Sequence, residues 1–218
     1  QSGHPPMSVF AQASATGHVV VWWNGYDPDA WGSPQQYVLW KGRSSFAKVN
    51  YTRDPAWMPD EGGTASVSNS GLVTATWVER QSGGGRLRAV TLDKAGTLVE
   101  KVPATANNLI MNSSHATTAT GDITVSYMDS QFTDEWRTTW YTLRRTKGTW
   151  STPKQVKQLQ PYGYTWGIAG NNTGKAATIG LGYSAGNPPE SVAVTAGVQN
   201  KPGARWTVTE AGPRVYNG

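Results

Sequence analysis

The chain has no cysteine, and this absence excludes disulfide bonds, thiolate metal ligands and cysteine nucleophiles. Charged residues make up 15% of the 218 residues, and there are three histidines, His4, His18 and His115. These histidines are too dispersed in the sequence to predict a metal site, and no residue pattern indicates a cofactor. No apolar run approaches the roughly 18 residues that cross a bilayer, so we expect no membrane span.

The N-terminal segment carries no basic and then apolar signal sequence, and the chain begins at Gln1 without a methionine. This is what a mature exported protein shows, so we expect a secreted or cell-surface location. The net charge of +5 would suit a polyanion such as an acidic glycan. Because the lysines and arginines are scattered, with no dense basic stripe, we do not expect nucleic acid to be the partner.

Turn-forming residues and hydrogen-bonding aromatic residues are what the sequence has in abundance. It contains 25 glycines, 13 prolines, 11 tryptophans and nine tyrosines, against three phenylalanines. Such a composition favours many short strands over helices. Tryptophan and tyrosine are favoured where one end of the ring meets water or a ligand, so some of these rings should be exposed.

An internal repeat is the strongest signal in the sequence. Four segments consist of a small polar turn that ends in glycine, followed at once by an alternating or β-branched strand. The turns end at Gly17, Gly71, Gly121 and Gly174, about fifty residues apart. A regular spacing of this kind indicates structural units within one domain, residues 1–218. The predicted units are 8–53, 63–103, 113–160 and 165–210.

Each unit has the same order of four predicted strands. The pattern predicts an all-β fold, a β-propeller of about four four-stranded antiparallel blades. A β-sandwich is the alternative, but it gives no reason for a fifty-residue repeat. We expect the last strands of the third and fourth units at 148–153 and 204–208, and residues 213–218 to begin a fifth unit or to close the ring.

The units resemble the blades of irregular β-propellers found in secreted bacterial proteins, sialidase-like ones included. The Ser-x-Asp-x-Gly-x-Thr-Trp box typical of sialidase-like blades lacks its aspartate in all four turns. Sialidase-like action would also need clustered arginines and a tyrosine nucleophile with a glutamate partner, which we cannot assign. The resemblance therefore implies the fold and leaves the activity open.

The two ends of such blades differ in sequence. The turns between first and second strands are short, whereas the loops of the opposite end carry clustered carboxylates and aromatic rings. Flat rings beside carboxylates suit sugars, although these residues could instead cover blade ends and cap turns. The predicted ligand-binding residues are Tyr26, Asp27, Asp29, Trp31, Trp57, Asp134, Glu135, Trp136 and Tyr162.

Other aromatic residues are predicted to pack. Trp22, Trp77 and Tyr127 share one place in the repeat, and a residue repeated at one structural position is usually a core residue. Tryptophans of the outer strands are expected to pack as well; they are Trp40, Trp140, Trp150 and Trp206.

No catalytic residue is predicted. Residues 182–186 match Gly-x-Ser-x-Gly around Ser184, but neither histidine nor aspartate follows, as a hydrolase triad would require. The leading hypothesis is a secreted, non-catalytic binding or scaffolding propeller that recognises a glycan or a protein partner. One alternative is a glycoside hydrolase that uses a pair of loop carboxylates. Another is a subunit joined by strand addition into a homo-oligomer or a partner-completed propeller.

Overall fold

The computed structural model describes the greater part of the chain. The described residues are 8–27, 33–42, 46–52, 58–59, 63–81, 84–93, 95, 97–106, 109–132, 136–159, 162–171, 173–183, 191–201 and 204–215. They form strands and turns, and among them there is no helix with the length and hydropathy needed to cross a membrane. The predicted all-β class is confirmed.

The strands form four antiparallel sheets, each made from consecutive segments, which we call blades 1 to 4 in chain order. Blade 1 has the order β1-β2-β3-β4 and comprises β1 (Ser8–Ala13), β2 (Val19–Asp27), β3 (Ser33–Gly42) and β4 (Phe46–Thr52). Blade 2 comprises β5 (Met58–Pro59), β6 (Thr64–Val67), β7 (Val73–Gln81), β8 (Gly84–Leu92) and β9 (Leu98–Ala106). Both β5 and β6 pair with β7, so they share the first strand position.

Blades 3 and 4 repeat this order. Blade 3 comprises β10 (Leu109–Thr117), β11 (Ile123–Phe132), β12 (Trp136–Thr146), β13 (Thr149–Trp150) and β14 (Lys154–Leu159). Both β13 and β14 pair with β12 and share the fourth position. Blade 4 comprises β15 (Tyr162–Gly170), β16 (Ala176–Tyr183), β17 (Ser191–Gln199) and β18 (Thr207–Val215). The predicted four blades of four antiparallel strand positions are confirmed, and the two-sheet sandwich is not observed.

The short turn between the first and second strands has one construction in all blades. Its glycine has a positive φ, between 77° and 89°, which other residues rarely adopt. The residue three positions before the glycine caps the turn. Its side-chain oxygen accepts a hydrogen bond from the backbone N–H of the residue that follows the glycine, at 3.0 to 3.1 Å. These capping residues are Ser14, Ser68, Thr118 and Asn171. The repeated Ser/Thr/Asn and Gly of the sequence are therefore the two halves of one hydrogen-bonded turn.

The blades pack face to face in chain order. Val73 and Trp77 of blade 2 form one buried cluster with Val20 and Trp22 of blade 1. The opposite face of blade 2 contributes Val78 and neighbours to a second cluster with blade 3. This second cluster contains Val78, Leu87, Ala104, Ile110, Ile123, Val125, Tyr127 and Leu143. Each interior blade is thus covered on both faces, as a propeller requires.

Blade 4 approaches blade 3 through small residues. A Cβ at Gly180 would lie 3.3 Å from Met128, and one at Gly197 would lie 3.2 Å from both Trp140 and Trp206. The fully buried Trp140 donates its indole N–H to Ser126 Oγ at 2.7 Å. Glycines therefore give the large rings of this interface the room that they need.

The packing predicted for the aromatic residues is confirmed where their side chains are described. Trp22, Trp77, Tyr127, Trp140 and Trp206 are buried, and Trp150 packs partly buried against the second cluster. The Trp40 side chain lies outside the described residues.

The prediction that Trp22, Trp77 and Tyr127 share one position in the repeat is confirmed for Trp77 and Tyr127 and wrong for Trp22. Trp77 and Tyr127 are both the fifth residue of their strands, β7 and β11, whereas Trp22 is the fourth of β2. Because side chains alternate along a strand, this single-residue difference turns Trp22 to the other face of its blade.

The outer strands of blades 3 and 4 differ from prediction. In blade 3 the predicted strand at 148–153 is β13, and a further strand, β14, begins at Lys154 after Pro153, which has no N–H to donate. In blade 4 the strand begins at Thr207 because Trp206 turns inward and donates to Thr142 Oγ1 at 3.0 Å. Residues 213–215 belong to this strand, with Val215 paired to Ser191, so their assignment to a fifth unit or a closing strand was wrong.

Candidate functional site

The short turns of neighbouring blades touch one another, and this fixes one end of the molecule. The turn-to-turn contacts are Thr16 Oγ1 to Asn69 O at 2.8 Å, His18 against Gly71, and Leu72 against Gly121. At the turn of blade 4, Arg144 of β12 donates from Nη1 to Gly174 O at 3.3 Å. We call this end of the molecule the short-turn end. Since strands alternate in direction, the connections between second and third strands leave from the opposite end, which we call the long-loop end.

Four of the nine predicted ligand-binding residues lie on described backbone, all at the long-loop end. Tyr26 and Asp27 end β2, Trp136 begins β12, and Tyr162 begins β15. The side chains of these four lie outside the described residues. The other five lie outside them altogether: Asp29, Trp31, Trp57, Asp134 and Glu135. The site made by these nine residues therefore stays a prediction.

The structure describes a charged group near this end that the sequence did not predict. Glu79, near the end of strand β7, is fully buried. Its Oε1 accepts the Trp77 indole N–H at 2.9 Å, and its Oε2 accepts the Arg86 Nε–H. Arg88 Nε lies 3.7 Å from the same Oε2. One carboxylate therefore lies beside two guanidinium groups where β7 and β8 approach the long-loop end.

This group follows a pattern that the repeat contains. Glu79 and Asp129 each come eight residues after the turn glycine, in blades 2 and 3. The equivalent aromatic residues, Trp77 and Tyr127, each precede the acid by two residues and share its face of the strand. The sequence signal for both acids is their common distance of eight residues from the turn glycine, which places them on strands and not in the long loops.

In blade 3, Tyr127 is the equivalent of Trp77, and it pairs with Tyr141 of the next strand. The rings of Tyr127 and Tyr141 stack with centroids 5.6 Å apart and planes 17° apart. Burial raises the pKa of Tyr127, and the Asp129 carboxylate and Tyr141 raise it further. Burial, then Asp129, also raises the pKa of Tyr141. Both phenols therefore stay protonated beside the Asp129 carboxylate.

The remaining described carboxylates hold turns at the short-turn end. Asp93 Oδ1 accepts the Thr97 N–H at 2.8 Å, and Asp122 Oδ1 accepts the Lys147 N–H at 3.1 Å. Together with the buried Glu79, these residues have structural partners within the sheet. Among the residues that the structure describes, no three acids or histidines cluster as metal ligands.

His115 occupies a buried polar site between the inner strands of blades 2 and 3. Its Nδ1 lies 2.9 Å from Thr64 Oγ1 and 2.8 Å from Thr76 Oγ1, and its Nε2 lies 2.6 Å from Ser66 Oγ. Burial lowers the pKa of His115 to about 4. The imidazole is therefore neutral at physiological pH, and it links two blades through hydroxyl groups.

One described cavity lies at the short-turn end, between the outer halves of blades 3 and 4. It has a volume of about 280 Å³, and its polar lining includes Arg144, Lys154, Ser151 and Gln199. Arg144 Nη1 donates to Gln199 Oε1 at 3.0 Å, and burial lowers the pKa of Arg144. This cavity is at the opposite end from the predicted ligand-binding residues.

Solved polysaccharide lyase and glycosyl hydrolase structures share this arrangement of blades. An ulvan lyase of polysaccharide lyase family PL25 matches with a TM-score of 0.63 and 10% identity, over 95% of this chain and 56% of that chain. An α-L-arabinanase from Penicillium chrysogenum, complexed with arabinobiose, matches with a TM-score of 0.61 and 8% identity, over 96% and 68% of the two chains. The fold is a β-propeller. A glycosyl hydrolase from Bacteroides ovatus matches this propeller with a TM-score of 0.53 and 10% identity, over 93% and 70%.

At this identity the likeness establishes the propeller fold and not the activity. The chain spans about 56% of the length of the ulvan lyase that it matches. No family model and no curated protein sequence matches the chain. The sialidase-like character of the blade repeat stays a prediction.

Proposed function

We propose that the protein is an exported, non-catalytic propeller that recognises an acidic glycan through its long-loop end. One observation carries the proposal: the strand ends of three blades bring Tyr26, Asp27, Trp136 and Tyr162 to that end of a rigid scaffold. Loops and strand ends held by a rigid scaffold are the usual place of binding residues.

The chemistry at this end suits a sugar. Aromatic rings pack on the apolar C–H face of a pyranose, while carboxylates and amides bond its hydroxyl groups. The net charge of +5 favours a ligand that carries carboxylate or sulfate groups. One structure of the similar ulvan lyase is bound to -[GlcA(1-4)Rha3S]-, a glycan of this kind.

Binding without cleavage is favoured by the described carboxylates. Hydrolysis of a glycoside uses two carboxyl groups that flank the scissile bond. Glu79 is fully buried and occupied by Trp77 and Arg86, while Asp93 and Asp122 cap turns at the other end. Among the described carboxylates, Asp129 is neither fully buried nor a turn cap, and a catalytic pair could combine it with a loop acid such as Asp134 or Glu135. This is the glycoside hydrolase alternative.

A binding assay on immobilised polysaccharides tests the proposal. The wild-type chain is expected to bind uronate-containing or sulfated polysaccharides and to bind neutral ones more weakly. Trp31→Ala and Trp136→Ala are each expected to weaken binding at least about tenfold, as aromatic contacts at binding sites commonly do. Trp150→Ala, the same truncation on β13 at the short-turn end, should leave binding unchanged.

Two results would overturn parts of this proposal. Absence of binding to every polysaccharide class would exclude glycan recognition and leave a protein partner as the ligand. Release of sugar fragments that stops with Asp134→Asn or Glu135→Gln would establish the hydrolase alternative in place of non-catalytic binding.

A further inference from the structure

The outer sheet surface of blade 4 is apolar and exposed. In β16 and β17, residues that face blade 3 are buried and alternate with exposed apolar residues. Ile179 is 49% exposed, Val198 41% and Val194 39%. Ala177 pairs with Val198 across the strands, and Ile179 pairs with Ala196, so these side chains form one patch. We call this patch, Ala177, Ile179, Val194, Ala196 and Val198, the end face of blade 4.

The corresponding surfaces of the interior blades are covered. The residues of blade 2 that point towards blade 3 are buried, as Thr74, Thr76 and Val78 show, and Thr124 and Met128 of blade 3 are buried towards blade 4. Exposed apolar patches of this kind on a soluble protein usually mark an interaction surface.

Blade 1, the first of the four blades, has an apolar surface on the side that faces away from blade 2. Since Trp22 points towards blade 2, the residues on the opposite side of the blade are Val9, Ala11, Ala13, Val19 and Val21. Val9 is 60% exposed, and none of these five is fully buried. We call these five residues the end face of blade 1.

The end face of blade 1 has the same composition as a surface that the protein already buries between blades. Counted from the short turn, Ala11, Ala13, Val19 and Val21 correspond to Ala65, Val67, Val73 and Ala75 of blade 2. Those four residues of blade 2 are 0 to 6% exposed, because blade 1 covers them. The end face of blade 1 is therefore built to be covered by a preceding blade.

We propose that the end face of blade 4 packs against the end face of blade 1 of a second copy of this chain. Two such contacts, related by a two-fold axis along the propeller axis, join the eight blades of two copies into one ring. Propellers of four to eight blades are typical, so the ring is of ordinary size. A closed symmetric pair also leaves neither end face exposed, whereas a single open contact would produce a growing filament.

A second copy fits because one chain carries both complementary surfaces. The described parts of blades 1 and 4 leave both end faces exposed within the single chain. This proposal does not depend on the glycan proposal, since the end faces lie on the sheets and the predicted binding residues lie at the long-loop end.

Light scattering on the purified chain tests the proposal. The wild-type chain is expected to have twice the mass of the 23.5 kDa monomer. Ile179→Glu places a charge in the buried contact and should weaken association more than about a hundredfold, giving monomers. Val99→Glu is the matched control, because Val99 is 42% exposed on β9 of blade 2, away from both end faces, and this variant should stay dimeric.

Val9→Glu tests the complementary surface without changing blade 4, and it should also give monomers of native circular dichroism. A wild-type chain that is monomeric at tens of micromolar would overturn the proposal. Dimers that survive both Ile179→Glu and Val9→Glu would overturn it as well, because another surface would then form the contact.

Discussion

Trp22 and Trp77 meet across the interface of blades 1 and 2, with ring centroids 5.3 Å apart and planes tilted by 31°. The two rings approach from facing sheets, because Trp22 lies one position nearer its short turn than Trp77 does. Trp77 also donates its indole N–H to Glu79. A tilted ring pair in the core of one interface thereby positions the carboxylate that holds Arg86.

Glu79→Gln is expected to destabilise the fold by about 3–5 kcal/mol, the usual cost of removing one partner from a buried ion pair. The amide can still accept the Trp77 N–H, but Arg86 and Arg88 would lose the negative charge between them. The free energy of unfolding in urea measures the loss.

A double variant separates this charge effect from a packing effect. Arg86→Met added to Glu79→Gln removes the cation that faced the lost carboxylate charge, so it should recover part of the lost stability. If Glu79→Gln costs less than about 1 kcal/mol, the ion pair contributes little and the first prediction is wrong.

The fold is expected to lose stability in acid through His115. The folded chain binds a proton on His115 near pH 4, whereas the unfolded chain binds it near the ordinary pKa of 6.5. Between these values the unfolded state binds more protons, so the free energy of unfolding falls as the pH falls from 6.5 to 4. Above pH 6.5 the contribution of the neutral His115 to stability is fully present. At about 1.4 kcal/mol per unit, the loss is roughly 3 kcal/mol.

Urea unfolding at several pH values between 7.5 and 4, with wild type and His115→Gln side by side, measures this effect. The groups that contact the imidazole are the neutral hydroxyls of Thr64, Ser66 and Thr76, so the difference between the two chains reports the histidine. The variant should be less stable at pH 7.5 because a polar site loses its partner. Parallel pH curves for the two chains would contradict the prediction.

Gly197→Ala is expected to destabilise the interface of blades 3 and 4 by about 1–3 kcal/mol, because the new methyl group would lie 3.2 Å from the rings of Trp140 and Trp206. Gly167→Ala is the matched control, since no atom lies within 4 Å of a Cβ at that position. It should change stability by less than about 0.5 kcal/mol. Thermal unfolding distinguishes the two, and equal effects would mean that the rings move aside.

The sequence predicted the blades well because their turns are local. The capping oxygen of Ser68 and the positive φ of Gly71 lie within one short segment, so the same residue types recur in every unit. The face to which Trp22 points was not predicted, because a one-residue shift of strand register leaves the composition unchanged. The late start of β18 depends on the contact of Trp206 with Thr142 in another blade, which no local pattern contains.

The site was less predictable than the fold. Long loops with acids and rings indicated an end of the molecule, and the strand ends at Asp27 and Trp136 lie there. The charged group around Glu79 lies on strands, where sequence reasoning expects packing, and its partners Arg86 and Arg88 come from the next strand. Such a group is recognised when the register of β7 and β8 is known.

The contacts among the short turns bear on how this protein can vary. Because His18 rests on Gly71 and Leu72 rests on Gly121, an inserted residue in one turn would displace the turn of the neighbouring blade. The spacing between neighbouring blades therefore depends on glycine turns of fixed length. Changes of ligand preference, whether by natural divergence or by loop grafting, are therefore expected at the long-loop end, where a new segment can be exchanged without refitting the blades.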